Sequence, residues 1–155
     1  MRLLALATGI LAVTSAVTVE AAQPRPAVEH FGRPALNGQP LPFSDAVRVG
    51  DTLYLSGQLG IGADGKLPEG IAAQTKQALD NIGAILKRVG LGYDDVFHCT
   101  AMLSDMKLWP DFNKVYVIYF PEGKRPARSA FGASGLALNA LVELECQAYA
   151  GKQRL

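Results

Sequence analysis

The chain has 155 residues, with 15 lysines and arginines against 14 acidic residues, so its net charge at pH 7 is +1. This balance excludes an electrostatic case for nucleic-acid binding, and the length suits one domain with a single core. Two cysteines, Cys99 and Cys146, can form neither a disulfide framework nor a four-cysteine metal site. Unpaired buried thiols are favoured for them, although export would allow them to pair.

Residues 1–21 have the features of a secretory signal peptide. One basic residue precedes an apolar stretch, and Val19 and Ala21 fit the small-residue rule for cleavage before Ala22. The apolar stretch is interrupted by polar residues and reaches only the lower limit for a membrane span, roughly 17 residues. We therefore predict a periplasmic or secreted protein that is not attached to a membrane after cleavage.

Two segments follow the signal. Residues 22–40 are rich in proline and show no periodic pattern, which predicts an extended lead-in. Residues 41–155 are predicted to form a single domain. It begins with two β-rich runs, 46–49 and 52–58, separated by Gly50-Asp51, which has the length and composition of a hairpin turn.

Two helices alternate with strands in the remainder of the domain. Apolar residues recur at helical spacing from Ile71 to Val89, and Gly90 ends this helix. Residues 96–103 read as a buried strand. A second helix is predicted from Trp109-Pro110 to the residue before Pro121.

The last part of the chain predicts two strands, 128–133 and 140–150, joined around Gly135 and able to form a hairpin. The order β-β-α-β-α-β-β indicates an α+β fold in which two helices cover one face of a mixed sheet. Alternation in the final strand places Val142 and Leu144 toward the helices and Glu143 and Glu145 on the opposite, open face. An open face with apolar groups favours a closed homo-oligomer.

Arg128 and Glu143 stand out because the residues between them are mostly small or apolar. Three interpretations compete. Arg128 could form an ion pair with Glu143 or Glu145 at a subunit rim. It could hold a substrate carboxylate while Glu143 positions or deprotonates a water. The two could also belong to a carboxylate-binding pocket without chemistry.

The motifs around these residues resemble the Rid (YjgF) family of reactive-intermediate deaminases. The resemblance is carried by Pro126-Ala127-Arg128-Ser129-Ala130-Phe131, by Leu136 followed by Val142-Glu143-Leu144, by Leu55-Ser56-Gly57-Gln58, by Ala73-Gln74-Thr75 with Leu79-Asp80-Asn81-Ile82, by Asp94-Asp95-Val96, and by Asn113-x-x-Tyr116-x-x-Tyr119-Phe120. It runs from about Leu41 to Tyr149.

The resemblance implies a chorismate-mutase-like fold and a homotrimer with ligand sites at the subunit clefts. It also implies hydrolysis of small enamine or imine intermediates, such as 2-iminopropanoate, to a 2-oxo acid and ammonia, with no cofactor and no metal. By position, Arg128 would grip the substrate carboxylate and Glu143 would orient water. Ser56, Gly57 and Asn113 match pocket-wall positions.

Three positions depart from the family's usual pattern. Phe43 stands where a tyrosine is usual, Ala130 where cysteine is common, and His98 where lysine is common. The main-chain carbonyl of Ala130 could still contact the imine nitrogen, and His98 is favoured as an ordinary sheet residue. The loss of the tyrosine hydroxyl keeps open a non-catalytic carboxylate-binding protein. An endoribonuclease is disfavoured because the chain has neither a basic stripe nor a suitable histidine pair.

Overall fold

A computed structural model describes residues 25–33 and 40–151. The predicted signal peptide, 1–21, lies outside the described residues, as does part of the lead-in. Seven strands and two helices follow in chain order: β1 (Val28–Phe31), β2 (Ala46–Val49), β3 (Thr52–Leu55), β4 (Gln58–Leu59), α1 (Ile71–Arg88), β5 (Val96–Leu103), α2 (Trp109–Tyr119), β6 (Ala127–Gly132) and β7 (Val142–Tyr149). The predicted α+β class is confirmed.

The strands form one mixed sheet in the order β1-β2-β3-β7-β5-β6, and short β4 also pairs with β7. The β2–β3 hairpin is confirmed: Val49 pairs with Thr52, and Gly50 takes the positive φ of 58° that the two-residue turn requires. In the lead-in, β1 pairs antiparallel with β2 and forms one edge of the sheet.

Both helices pack on the same face of the sheet. The buried side of α1 includes Leu79, Ile82 and Leu86, which are fully buried with Leu53 and Leu144 of the sheet. Burial of this apolar side stabilises α1, because a helix of this length is only marginally stable by itself in water. Neither described helix has the length and apolar character needed to cross a membrane.

The predicted hairpin between the last two strands is wrong. β6 pairs in parallel with β5, and β7 pairs with β5 on its other side, so β5 lies between them. The physical reason is the preceding helix: β5, α2 and β6 form a crossover unit, which makes β5 and β6 parallel neighbours. The chain then crosses the end of β5, through Leu138 and Asn139 with positive φ, to reach β7.

The favoured assignment of unpaired thiols is also wrong. Cys99 of β5 and Cys146 of β7 are directly opposite in the antiparallel register and form a disulfide. Both residues are at most 1% exposed. The pairing depends on the register of two strands that are distant in sequence, and the composition alone gave no information about that register.

One buried carboxylate ties the lead-in to α1. Asp45, only 1% exposed, accepts 2.7 Å hydrogen bonds from Arg33 of the lead-in and from Arg88 at the end of α1. A buried aspartate is costly unless it is paired in this way. These contacts therefore tie Arg33, which lines a cavity described below, to the end of α1.

Removing the disulfide tests its structural role. We expect reduction to lower the free energy of unfolding by about 4 kcal/mol, because the bridge joins residues separated by 47 positions and restricts the unfolded chain. Urea unfolding of the oxidised and reduced protein at one protein concentration measures the difference. Two free thiols in the oxidised, denatured protein would show that the bridge does not form.

Candidate functional site

Arg128 lies on the helix side of the sheet. It is paired in the β5–β6 register with the buried Cys99, which faces the helices. Its guanidinium carbon lies 4.4 Å from the ring centroid of Tyr116 and 5.2 Å from that of Phe112, both on α2. Stacking on two aromatic rings holds the guanidinium plane in one orientation.

The charge of Arg128 has no acidic counterpart in the described part of the chain, where its guanidinium makes no hydrogen bond or ion pair to another side chain. Burial lowers the pKa of Arg128, yet an arginine remains protonated at neutral pH. Burial raises the pKa of Tyr116 to about 12, so this phenol is neutral and does not compensate the cation. The guanidinium is thus held in one orientation and carries a charge that no described side chain neutralises.

A cavity of about 370 Å³ opens in front of Arg128. It lies between α2 and the start of β6, and its lining residues are Asn113, Tyr116, Val117, Arg125, Pro126 and Arg128. The structure therefore brings Asn113 to Arg128, as the resemblance implied. Ala130 follows on the same face of β6, half-buried and paired with Ala101.

Glu143 lies on the open face, where the alternation in β7 placed it. It pairs with Met102 of β5 and with Leu59 of β4. The carboxylate is half-buried, and burial raises its pKa, with a further increase from the negative charge of Glu145. A carboxylate with a raised pKa and no cationic partner among the described residues is a competent proton acceptor.

Gly57 makes room for the Glu143 side chain. A Cβ added at Gly57 would lie 2.0 Å from Oε1 of Glu143 and 2.9 Å from its carboxyl carbon. The absence of a side chain at position 57 therefore allows the carboxylate to lie against the main chain. This is a physical role for the glycine that the resemblance placed in the pocket wall.

Phe43 and Gly57 line a second cavity, of about 340 Å³. Arg33 reaches the same cavity, which is why the Asp45 contacts bear on its shape. Phe43 is 53% exposed and offers only an apolar ring. Ser56 donates its hydroxyl hydrogen to the carbonyl of Ser44 at 2.7 Å, so its oxygen is left as an acceptor.

The predicted site residues thus form two separate groups, one around Arg128 on the helix side of the sheet and one around Glu143, which itself lies on the open face. Arg128 and Glu143 were expected to converge from one hairpin, and within one protomer this is wrong. Their strands are two spacings apart, roughly 10 Å, and their register positions differ by three residues along β5, a further ~10 Å. No single small molecule can touch both in one chain, and the ion pair between them is likewise absent from the described residues.

His98 is separate from both groups. It is half-buried on the open face and pairs with Gln147. Met102, the residue that pairs with Glu143, is four residues further along β5, or roughly 13 Å from His98. This position agrees with an ordinary sheet histidine. Among the residues that the structure describes, no cluster of three or more histidine, cysteine or acidic side chains could hold a metal ion.

Sequence reasoning missed three residues around Arg128. Phe112 and Tyr116 are buried in the core, and they also form the platform for the guanidinium. Arg125 lines the same cavity. The available signals were aromatic residues four apart on α2 and two arginines three apart at the start of a strand.

The fold and these two groups define a small α+β protein with one mixed sheet, two helices on one face, and an arginine and a glutamate without charged partners among the described residues. Residues 37–150 match the family model described as Endoribonuclease L-PSP. The chain is 40% identical over 112 residues to the mouse protein named 2-iminobutanoate/2-iminopropanoate deaminase, covering 71% of this chain and 82% of the relative. The bovine protein of that name is 43% identical over 112 residues, covering 71% and 81%.

A solved structure shows the same fold. YyfA from Yersinia pestis, described as a protein of unknown function of the conserved Rid protein family, superposes with a TM-score of 0.72. It is 34% identical and covers 79% of this chain and 99% of its own. The chain belongs to the Rid (YjgF) family.

Substituting Gly57 tests whether its missing side chain positions Glu143. We expect Gly57→Ala to lower kcat by about tenfold or more, because the added methyl group must displace the carboxylate, and displacements near 1 Å are costly in catalysis. The fold should survive, since the displaced atoms are the far end of a flexible side chain. Steady-state imine hydrolysis measures kcat, and circular dichroism checks that the fold is retained. An unchanged kcat would contradict this role.

Proposed function

We propose that this protein hydrolyses small 2-imino acids to 2-oxo acids and ammonia without a cofactor. The observation that carries the proposal is the unneutralised guanidinium of Arg128, held on two aromatic rings at a small cavity. The names of the mouse and bovine relatives support the same chemistry. Such a reaction needs a carboxylate clamp and a proton acceptor for water, and the chain has both residue types.

We propose further that the site is completed between two copies of the chain in a homotrimer. Arg128 lies on β6, the edge strand of the sheet, and Glu143 lies on the open face. Large apolar side chains remain exposed on that face, including Tyr54, Phe131 and Tyr149, each between 45% and 48% exposed. Covering this face with a second copy would bury them and could bring Arg128 of one subunit to Glu143 of the next.

The mechanism follows from the two groups. Arg128 holds the substrate carboxylate through parallel N–H donors and fixes the adjacent C=N carbon. Glu143 accepts a proton from a water molecule as the water oxygen bonds to that carbon. With the substrate as the protonated imine, this addition gives a neutral carbinolamine. Its nitrogen takes the proton from Glu143, the C–N bond breaks and ammonia leaves, and Glu143 accepts the hydroxyl proton as the C=O bond of the 2-oxo acid forms. Most of the rate acceleration comes from the orientation of the substrate and the water molecule.

Phe43 favours one second candidate, a protein that binds small carboxylates without turning over imines. It lines the cavity beside Gly57 and supplies no hydroxyl to a substrate or water. In that case Arg128 would still bind 2-oxo acids, and hydrolysis would be absent. Calorimetric titration with pyruvate, alongside the hydrolysis assay, separates the two candidates.

RNA cleavage is not supported by the positions of the histidines. His30 of β1 and His98 of β5 lie at opposite ends of one row of paired residues, through Val47, Tyr54 and Gln147. Four strand spacings separate them, or roughly 19 Å, which is too far for a general acid–base pair. We therefore propose small imino and oxo acids, rather than nucleic acid, as ligands.

We also propose that the protein acts in the periplasm or outside the cell, free of the membrane. Residues 1–21 carry the features of a secretory signal, and the buried Cys99–Cys146 bridge suits an oxidising compartment. The thiol titration described above bears on this point, since free thiols would remove one of the two supports.

Single substitutions and their mixture test the site. We expect Arg128→Ala and Glu143→Gln each to lower kcat/KM for 2-iminopropanoate by about 100-fold or more, because one removes the clamp and the other the proton acceptor. Arg128→Lys keeps the positive charge but not the two parallel N–H donors, and it controls for loss of structure. If wild-type protein leaves the rate of imine decay unchanged, the deaminase proposal fails.

Mixed trimers decide between an inter-subunit site and a site within one chain. Co-refolding the two inactive variants in equal amounts should restore about a quarter of the wild-type activity, because a quarter of the interfaces combine an intact Arg128 with an intact Glu143. No recovery, in mixtures shown by tagged pull-down to contain both variants, would contradict the shared site.

The pH profile tests the role of Glu143. Its pKa lies above the ordinary 4.5, so the carboxylate and the activity should be lost at a higher pH than for an exposed glutamate. Glu145→Gln removes a neighbouring negative charge and should lower this pKa, which shifts the acid limb of kcat to lower pH. Wild type and variant are compared in the same buffers to cancel the uncatalysed reaction. A limb that does not move, or moves upward, would contradict the assignment.

A further inference from the structure

The cavity in front of Arg128 contains a second arginine that the proposed mechanism does not use. Arg125 and Arg128 both line it, separated in sequence by Pro126 and Ala127. The proline fixes the main chain between them, because its ring restricts φ. Both arginines therefore reach the cavity from one short segment at the start of β6, where Arg125 is exposed and Arg128 is half-buried.

Little in the described structure neutralises Arg125. Its Nε donates to the carbonyl of Phe120 over 3.4 Å, a long contact that leaves the terminal nitrogens available. No acidic residue is among the residues that line the cavity. The remaining polar groups are the amide of Asn113 and the neutral phenol of Tyr116. The cavity thus carries two positive charges and no negative charge from its own walls.

Two cations exceed the requirement of a monocarboxylate. A single bidentate arginine satisfies one carboxylate, whereas a second arginine in the same cavity offers a site for a second anionic group. The volume, about 370 Å³, is at the small end of the range for small-molecule sites, which suits a ligand of a few carbon atoms.

We propose that the substrates of this protein include 2-imino dicarboxylic acids, such as 2-iminosuccinate. Arg128 binds the carboxylate next to the imine carbon, and Arg125 binds the distal carboxylate. Water replaces the imine nitrogen, so the products are a 2-oxo dicarboxylic acid and ammonia. This inference rests on the proposed imine hydrolysis and assigns its substrate class. Arg125 acts as a specificity residue and takes no part in bond making.

The test compares two imines in three proteins. 2-Iminosuccinate is generated from aspartate by an aspartate oxidase, and 2-iminopropanoate from alanine by an amino-acid oxidase. For wild type we expect kcat/KM to be about tenfold higher for the dicarboxylate, the gain from one charged hydrogen-bonded pair. Arg125→Ala should bring this ratio close to one. Lys124→Ala removes the same charge from the neighbouring residue, whose amine pairs with Asp94 outside the cavity, and should keep the ratio.

Binding of stable 2-oxo acids provides a second readout that needs no turnover. We expect calorimetry to show tighter binding of 2-oxoglutarate than of 2-oxobutanoate, with the difference lost in Arg125→Ala and kept in Lys124→Ala. If the enzyme hydrolyses both imines without preference, or if Arg125→Ala leaves the preference intact, the inference is overturned while the proposed function stands. If neither imine is hydrolysed, the proposed function fails and the substrate assignment fails with it, and the binding preference then shows only whether Arg125 holds the distal carboxylate.

Discussion

The candidate site depends on one interaction, the stacking of the Arg128 guanidinium on Tyr116 and Phe112 without an acidic partner in the described chain. A half-buried cation that is oriented but not neutralised raises the free energy of the empty site. A bound carboxylate relieves this cost, since it supplies both charge and two acceptor oxygens. The platform comes from α2, the guanidinium from β6, and the crossover that makes β6 a neighbour of β5 brings the two together.

The single-layer sheet imposes the second constraint. Because side chains alternate between its faces, Arg128 and Glu143 cannot meet within one chain, whatever their rotamers. Chemistry that needs both must use two copies, and the edge position of β6 and the uncovered face of β7 are the surfaces that could be joined. In the proposed trimer, assembly and catalysis would have one physical origin, the burial of the open face of this sheet.

Much of the fold was predictable from the sequence because local patterns determine it. Helical periodicity located α1, Gly50-Asp51 located the first hairpin, and alternation in β7 correctly placed Glu143 on the open face. The errors concern long-range pairing. A short connection suggested a β6–β7 hairpin, and nothing local showed that β5 lies between these strands or that Cys99 faces Cys146. The sequence named Arg128 and Glu143 as candidate site residues, but how far apart they lie depends on that pairing.

In the proposed site, one carboxylate ligand is held by Arg128 of one subunit and faces Glu143 of the partner subunit. A crystal structure of the assembled protein with 2-oxobutanoate would show this arrangement. We expect a bidentate contact from the carboxylate to Arg128, with the 2-oxo carbon directed toward Glu143 of the partner subunit across a water-sized gap. A ligand that binds away from Arg128, or an assembly in which no Glu143 approaches that cavity, would contradict it.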